Sequence, residues 1–315
     1  MIFFWIALSV AAFLTLCVLL TAYICYRRVF YNGNKVKNVE EFSIPEGEIY
    51  QPFREEMINW IKQKRALPHT KMSVTSFDGL TLYGEFFEYA PGAPIELMFH
   101  GYRGNAERDL SGGIFRCRQL GHSTLLVDHR AAGKSQGHVT GFGITECRDC
   151  LAWIDFIINN IDPNAKIILT GVSMGAATVT LAAGHELPDN VIGVLADCGY
   201  TSAREIICKV IDEMKLPSRL LYPFVRLGGK IFGHFDPDAD SPIAAAARSR
   251  VPIIFIHGDA DAFVPCDMSR RNFEACASPV KKFVVIGGAG HGLAYSIAPE
   301  DYLAALREFF GPLIK

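Results

Sequence analysis

Lys166-Ile167-Ile168-Leu169-Thr170, then Gly171-Val172-Ser173-Met174-Gly175, then Ala176-Ala177-Thr178-Val179-Thr180-Leu181-Ala182-Ala183 is the stretch on which the reading of this chain turns. The first five residues are an apolar run of strand length, and the last eight read as a packed helix. Strand, G-x-S-x-G, helix is the pattern of a nucleophile elbow. The turn is so tight that its flanking positions tolerate little side chain, which selects Gly171 and Gly175. It lifts the Ser173 hydroxyl clear of the sheet and leaves a backbone N–H beside it. A bare G-x-S-x-G arises by chance in a chain with 28 glycines. The strand-to-helix context makes this one specific.

Working outward, strands are expected at 71–76, 80–85, 95–99, 123–128, 166–170, 191–197, 252–257 and 282–286. Phe77-Asp78-Gly79 supplies hairpin chemistry between the first two. The later runs are continuously apolar, as in a parallel sheet covered on both faces. Helical stretches separate most of them, including 144–158 and 301–310. The expectation is an α/β fold: a mainly parallel eight-stranded sheet with helices on both faces. The site then lies beyond the carboxyl ends of the strands. Residues 200–250 interrupt the rhythm with an amphipathic helix (Ile207, Val210, Ile211, Met214) and the apolar stretch 220–232. They read as a small helical lid, facing either a bilayer or the catalytic sheet.

A serine hydroxyl needs a base to become a nucleophile. On an elbow of this kind the partners follow in the order Ser, acid, His. His185 lies at the far end of the elbow helix, His234 in the lid, and His257 at a strand end suited to packing or loop support. His291 follows the last strand within Gly287-Gly288-Ala289-Gly290-His291-Gly292, whose small residues let an imidazole reach over the sheet edge, and is the expected base. Asp261 precedes Ala262-Phe263-Val264-Pro265 and is the expected acid. Asp259 and Asp197 are alternatives. An oxyanion hole needs two N–H groups. The expected donors are Met174, after the nucleophile, and Tyr102, in the loop His100-Gly101-Tyr102-Arg103-Gly104-Asn105 after the third strand. Loop scaffolding is the preferred role for His100, and Arg103 faces either a substrate carboxylate or solvent.

These motifs form a set with Phe99-His100-Gly101, Asp128-His129-Arg130, Gly133-Lys134-Ser135-Gln136-Gly137 and His257-Gly258. Together they resemble the α/β-hydrolase superfamily. The chain is similar there to membrane-anchored hydrolases near the prolyl oligopeptidase-like and serine aminopeptidase-like branches, over about residues 70–311. The resemblance implies Ser173 as nucleophile, Asp261 as acid, His291 as base, and Tyr102 with Met174 at the oxyanion hole. It departs at Ala131 and Ala132, where many relatives have Gly. It implies a bond class, not a substrate: a serine hydrolase of an acyl ester or thioester, or a peptidase with the same triad. A non-catalytic binding protein would be expected to lack a triad member, and none is missing. No cofactor or metal is called for.

The 315 residues are half hydrophobic with a formal charge of −2, which gives no electrostatic footprint for nucleic acid. From Ile2 to Tyr26 there is no charged side chain. About 20 apolar residues cross a bilayer core, and aromatics near both ends suit the headgroup level. With no basic residue before it and excess length for a signal peptide, this run reads as a single-pass membrane anchor. Arg27, Arg28, Lys35 and Lys37 after it place the bulk of the protein in the cytoplasm. The organisation expected is an anchor over 1–28, a linker and docking helix over 29–66, and a hydrolase domain over 67–315 with its lid at about 200–250. The partners expected are a small-molecule or lipid-like acyl substrate and the membrane. The nine cysteines are odd in number and scattered. Cys147 and Cys150 share a helical stripe with Leu151, Ile154 and Ile158, so their C-x-x-C reads as buried surface rather than a metal or redox pair.

Overall fold

The computed structural model describes residues 1–33 and 42–314. Lys35, Lys37 and part of the expected linker therefore lie outside the described residues. Strands β1 (Thr70–Thr75), β2 (Thr81–Phe87), β3 (Ile95–Phe99), β4 (Ser123–Val127), β5 (Ile167–Val172), β6 (Val191–Asp197), β7 (Ile253–Gly258) and β8 (Lys281–Ile286) form one sheet in the order β1-β2-β4-β3-β5-β6-β7-β8. The β1–β2 and β2–β4 pairs are antiparallel, and β4 through β8 are joined in parallel. The alternation of side chains along each strand divides the core in two. On one face Leu97, Leu169 and Val194 pack on helices α4 (Glu146–Asn160), α5 (Met174–Ala182), α8 (Pro242–Ala246) and α9 (Cys266–Ala275). Trp153 of α4 is fully buried there, beside Cys147 and Cys150. Burial pushes the Cys147 thiol up to about 12, so the C-x-x-C is part of the packed stripe.

The other face packs on α3 (Ala106–Leu120), α10 (Ala294–Ile297) and α11 (Pro299–Ile314). A docking helix, α2 (Arg54–Ala66), lies against α3. Trp60 of α2 sits so close to Gly112 that a Cβ there would fall 2.6 Å from the indole.

The N-terminal helix α1 (Ile2–Val29) is long and apolar enough to cross a membrane. Residues 2–20 of it are exposed, whereas Ala22 and Tyr26, and Phe30 at its C-cap, are buried. They are covered by the insertion after β6, which forms α6 (Ala203–Glu213) and α7 (Ser218–Phe232). The insertion differs here from the expected lid. Its apolar face packs on Met174 and Ala177 of α5 and on the end of α1, and none of its residues lines the cavity beside Ser173. The physical reason is that α1 occupies the face of α7 that the sequence left unpartnered. The two helices cross at Gly228, where a Cβ would stand 2.3 Å from the Ala22 carbonyl oxygen.

Gly228→Val is therefore expected to force α1 off the body of the protein, at a cost of about 1–3 kcal/mol for overpacking. In detergent, trypsin should then cleave after Arg27 or Arg28 faster than in the parent. Unchanged cleavage would contradict the tight crossing.

Candidate active site

The elbow is built by close approach of backbones. A Cβ on Gly171 would lie 2.1 Å from the Gly175 carbonyl, and one on Gly175 would lie 2.0 Å from the Phe99 oxygen. Between them Ser173 takes φ +58° and ψ −115°, a conformation that L side chains rarely adopt. Its amide donates to the Asp197 carbonyl at 2.9 Å, which ties the turn to the neighbouring strand.

Two loops from the same end of the sheet meet Ser173. The loop after β8 carries His291, whose Nε2 lies 2.9 Å from Ser173 Oγ. Its Nδ1 lies 2.6 Å from Asp261 Oδ2 in the loop after β7. A carboxylate only accepts, which assigns the proton to Nδ1 and leaves Nε2 to accept from the serine hydroxyl. Asp261 Oδ1 accepts the Phe263 and Val264 amides at 2.9 and 2.8 Å. Burial works to raise its pKa, but hydrogen bonds from His257 and His291 outweigh it and hold the carboxyl at about 2. Asp259 takes a different place: its Oδ1 accepts the Gly288 amide at 2.6 Å and braces the His291 loop. Asp197 is turned under Ser173 and bonded to Tyr302.

Met174 is the first residue of α5, so its amide is one that helix geometry leaves unpaired, at the positive end of the helix dipole. The loop after β3 passes beside it: a Cβ on Gly101 would stand 3.6 Å from Ser173 Cβ. A turn closed by the Gly104 amide on the Gly101 carbonyl, with Arg103 at φ +52°, leaves the Tyr102 N–H out of the turn's bond. The Tyr102 hydroxyl donates to the Val29 carbonyl at 2.6 Å. Arg103 is exposed to solvent and does not line the cavity; its guanidinium donates to the Arg28 and Tyr31 carbonyls at 2.7 and 3.3 Å. The loop beside Ser173 thus caps the end of α1. His100 is buried within it, its ring bonded to the Gly101 carbonyl and accepting the His129 amide.

Three contributors were not singled out for the site. His257, read as loop support, sets its Nε2 3.1 Å from Asp261 Oδ2 and 2.9 Å from the Val264 carbonyl. Cys198 brings its sulfur within 4.8 Å of donor atoms of Asp261 and His291. Burial keeps that thiol far from ionising, and both His291 nitrogens already have partners in Asp261 Oδ2 and Ser173 Oγ. Residues 45–50, within the expected linker, wall a cavity of about 430 Å³ that opens on Ser173 and His291. There the Tyr50 hydroxyl donates to the His291 carbonyl at 3.0 Å. The sequence sign of this was Ile49 and Tyr50 at the end of the run read as a linker.

The family described as serine aminopeptidase, S33 matches residues 95–226. The solved esterase Pf2001 of Pyrococcus furiosus superposes with a TM-score of 0.66 at 20% identity, over 87% of this chain and 99% of that one. The chain has the α/β-hydrolase fold. An esterase from Exiguobacterium antarcticum gives the same α/β-hydrolase fold at a TM-score of 0.57 and 18% identity, covering 76% of this chain and 98% of that one. Among curated proteins, the uncharacterised YqkD of Bacillus subtilis is 29% identical over 60% of this chain and 62% of its own length. Protein bem46 of Schizosaccharomyces pombe is 24% identical over 60% and 58% respectively. In this fold Ala131 stands at φ +61°, held by its amide on the Gln136 carbonyl and by Asn32 Nδ2 on its own carbonyl.

The depressed Asp261 pKa has a stability consequence. Its contribution is fully present above the unfolded value near 4 and is lost as pH falls through about 2. The stability advantage of the parent over Asp261→Asn should therefore shrink by on the order of 2 kcal/mol between pH 5 and pH 2. Chemical denaturation of both proteins across that range checks it; a constant gap would contradict it.

Proposed function

We propose that the protein is a serine hydrolase that cleaves an acyl ester or thioester through an acyl-enzyme intermediate. The observation that carries this reading is the unbroken relay from Ser173 Oγ through His291 to Asp261, at 2.9 and 2.6 Å. Ser173 Oγ attacks the acyl carbonyl carbon while His291 Nε2 takes its proton. The oxygen that becomes negative is met by the Met174 and Tyr102 amides. The C–O or C–S bond then breaks, and His291 returns the proton to the departing alcohol or thiol. A water attacks the acyl-enzyme with His291 again as base, which releases the acid and restores Ser173. Asp261 keeps the imidazole in the tautomer that can accept and steadies the cation formed in each half.

Apolar walls from Met57, Trp60, Met98 and Val172 support an acyl group as the bound part. A peptidase reading is favoured by one observation, the family description matched by residues 95–226. Turnover of short acyl esters against aminoacyl anilides separates the two. We place α1 in the membrane as an uncleaved single-pass anchor, with the hydrolase domain in the cytoplasm. The burial of Ala22, Tyr26 and Phe30 and the bonds from Tyr102 and Arg103 to the end of α1 support retention of the segment.

Ser173→Ala should lower kcat on a short acyl ester by about 10³-fold or more. Activity that survives would assign the chemistry elsewhere. Tyr102→Phe keeps the amide but frees its loop from Val29. We expect kcat to fall about tenfold with KM within twofold, since donors must stay aimed at the oxyanion. A rise in KM at constant kcat would place Tyr102 in substrate binding instead.

A further inference from the structure

The cavity continues beneath Ser173 along the sheet face that packs on α3 and α11. The alternation along β3, β5 and β6 puts Glu96, Thr170 and Asp197 on that face, where the neighbouring positions Ile168 and Leu195 are apolar. Thr170, Asp197, Arg116 of α3 and Tyr302 of α11 all line the cavity. Glu96 lies behind them and is saturated. It accepts from Arg116 Nη2, from His122 Nδ1 at 2.8 Å and from Thr170 Oγ1 at 2.9 Å. Burial works to raise its pKa, but Arg116 and His122 hold it at about 2, so it balances the arginine's charge.

Two polar atoms remain. Arg116 Nη1 is buried and has no partner among the described residues, and the same holds for Asp197 Oδ1. The other oxygen of Asp197 accepts from the Tyr302 hydroxyl at 2.8 Å. An unpaired buried donor or acceptor costs about 1–3 kcal/mol, so a pocket meant only for hydrocarbon has no use for either. A carboxylate ligand would find the guanidinium already neutralised by Glu96 and would face Asp197. An ammonium would face Arg116. A hydroxyl accepts from an N–H and donates to a carboxyl oxygen through one atom.

We propose that this floor binds a hydroxyl group on the acyl part of the substrate, which makes the enzyme selective for hydroxyacyl esters or thioesters. The inference rests on the serine hydrolase reading above. Asp197 adjoins Ser173 through the 2.9 Å bond from the serine amide. Thr170 lies three residues back along β5, about 10 Å at the rise of a strand. The hydroxyl therefore belongs on an acyl chain of about four to eight carbons.

The test uses the full chain in detergent and pairs of ethyl esters, unsubstituted and ω-hydroxylated, over that range of length, followed by acid release. At one or more lengths kcat/KM for the hydroxy ester should exceed that of its unsubstituted partner tenfold or more, because a site built to hydrogen-bond a hydroxyl discriminates against the analogue lacking it. The ratio should fall towards one in Arg116→Lys, which keeps the charge opposite Glu96 but removes Nη1. It should also fall in Asp197→Asn, which replaces one carboxyl oxygen with an NH₂ and removes the negative charge opposite Arg116. Should either variant fail to fold, the wild-type ratios decide alone. Ester turnover without hydroxyl preference at any length overturns this inference and leaves the hydrolase reading standing. So does a preference that survives both substitutions. Turnover of no ester at all, with Ser173 unlabelled by a fluorophosphonate, overturns both.

Discussion

The packing of β5 against the start of α5 is the constraint on which the rest depends. No side chain fits at Gly171 or Gly175, because the backbone of the turn and that of Phe99 already fill the space. Ser173 is held at a positive φ as a result, and its hydroxyl meets His291 Nε2. Arg103 and Cys198 also have positive φ, in the loops on either side of the elbow. These three residues stand at the carboxyl ends of β3, β5 and β6, where the sheet hands over to the site.

The two sides of the sheet serve different ends. Around Trp153 it is apolar and closed, and it holds the strands in register. Around Glu96, Arg116 and Asp197 a polar group sits under the cavity, each member on a strand or helix that the fold places rigidly. The end of α1 adds a third layer. Its last carbonyls are capped by the loop that runs past Ser173, and Phe30 meets Phe142 and Phe235 edge-on at 5.8 and 5.0 Å. An apolar N-terminal helix is thereby part of the scaffold of the site.

Much of this was legible in the chain. The strands came through because each is a continuous apolar run between turn residues, and β3 and β6 fall at the positions expected. Ser173, Asp261 and His291 stood out because each follows a strand, and all strand ends of a parallel sheet point one way. What escaped depends on partners far apart in sequence. Arg103 pairs with carbonyls more than 70 residues away, and Tyr50 reaches His291 across 241 positions. Local spacing records neither. The amphipathic pattern of 207–232 announced a buried face but not its partner, so the insertion read as a lid over the site when α1 and α5 take up that face. Arg116 and Glu96 stand 20 positions apart, with no local pattern that links them. Only register brings them together.

The central claim is that one serine, poised on the elbow, carries the acyl group. Incubating the full chain with a fluorophosphonate and mapping the adduct by peptide mass spectrometry tests it most directly. The account predicts a single stoichiometric adduct on the peptide that contains Ser173. An adduct on a different serine, or none while ester turnover persists, would contradict it.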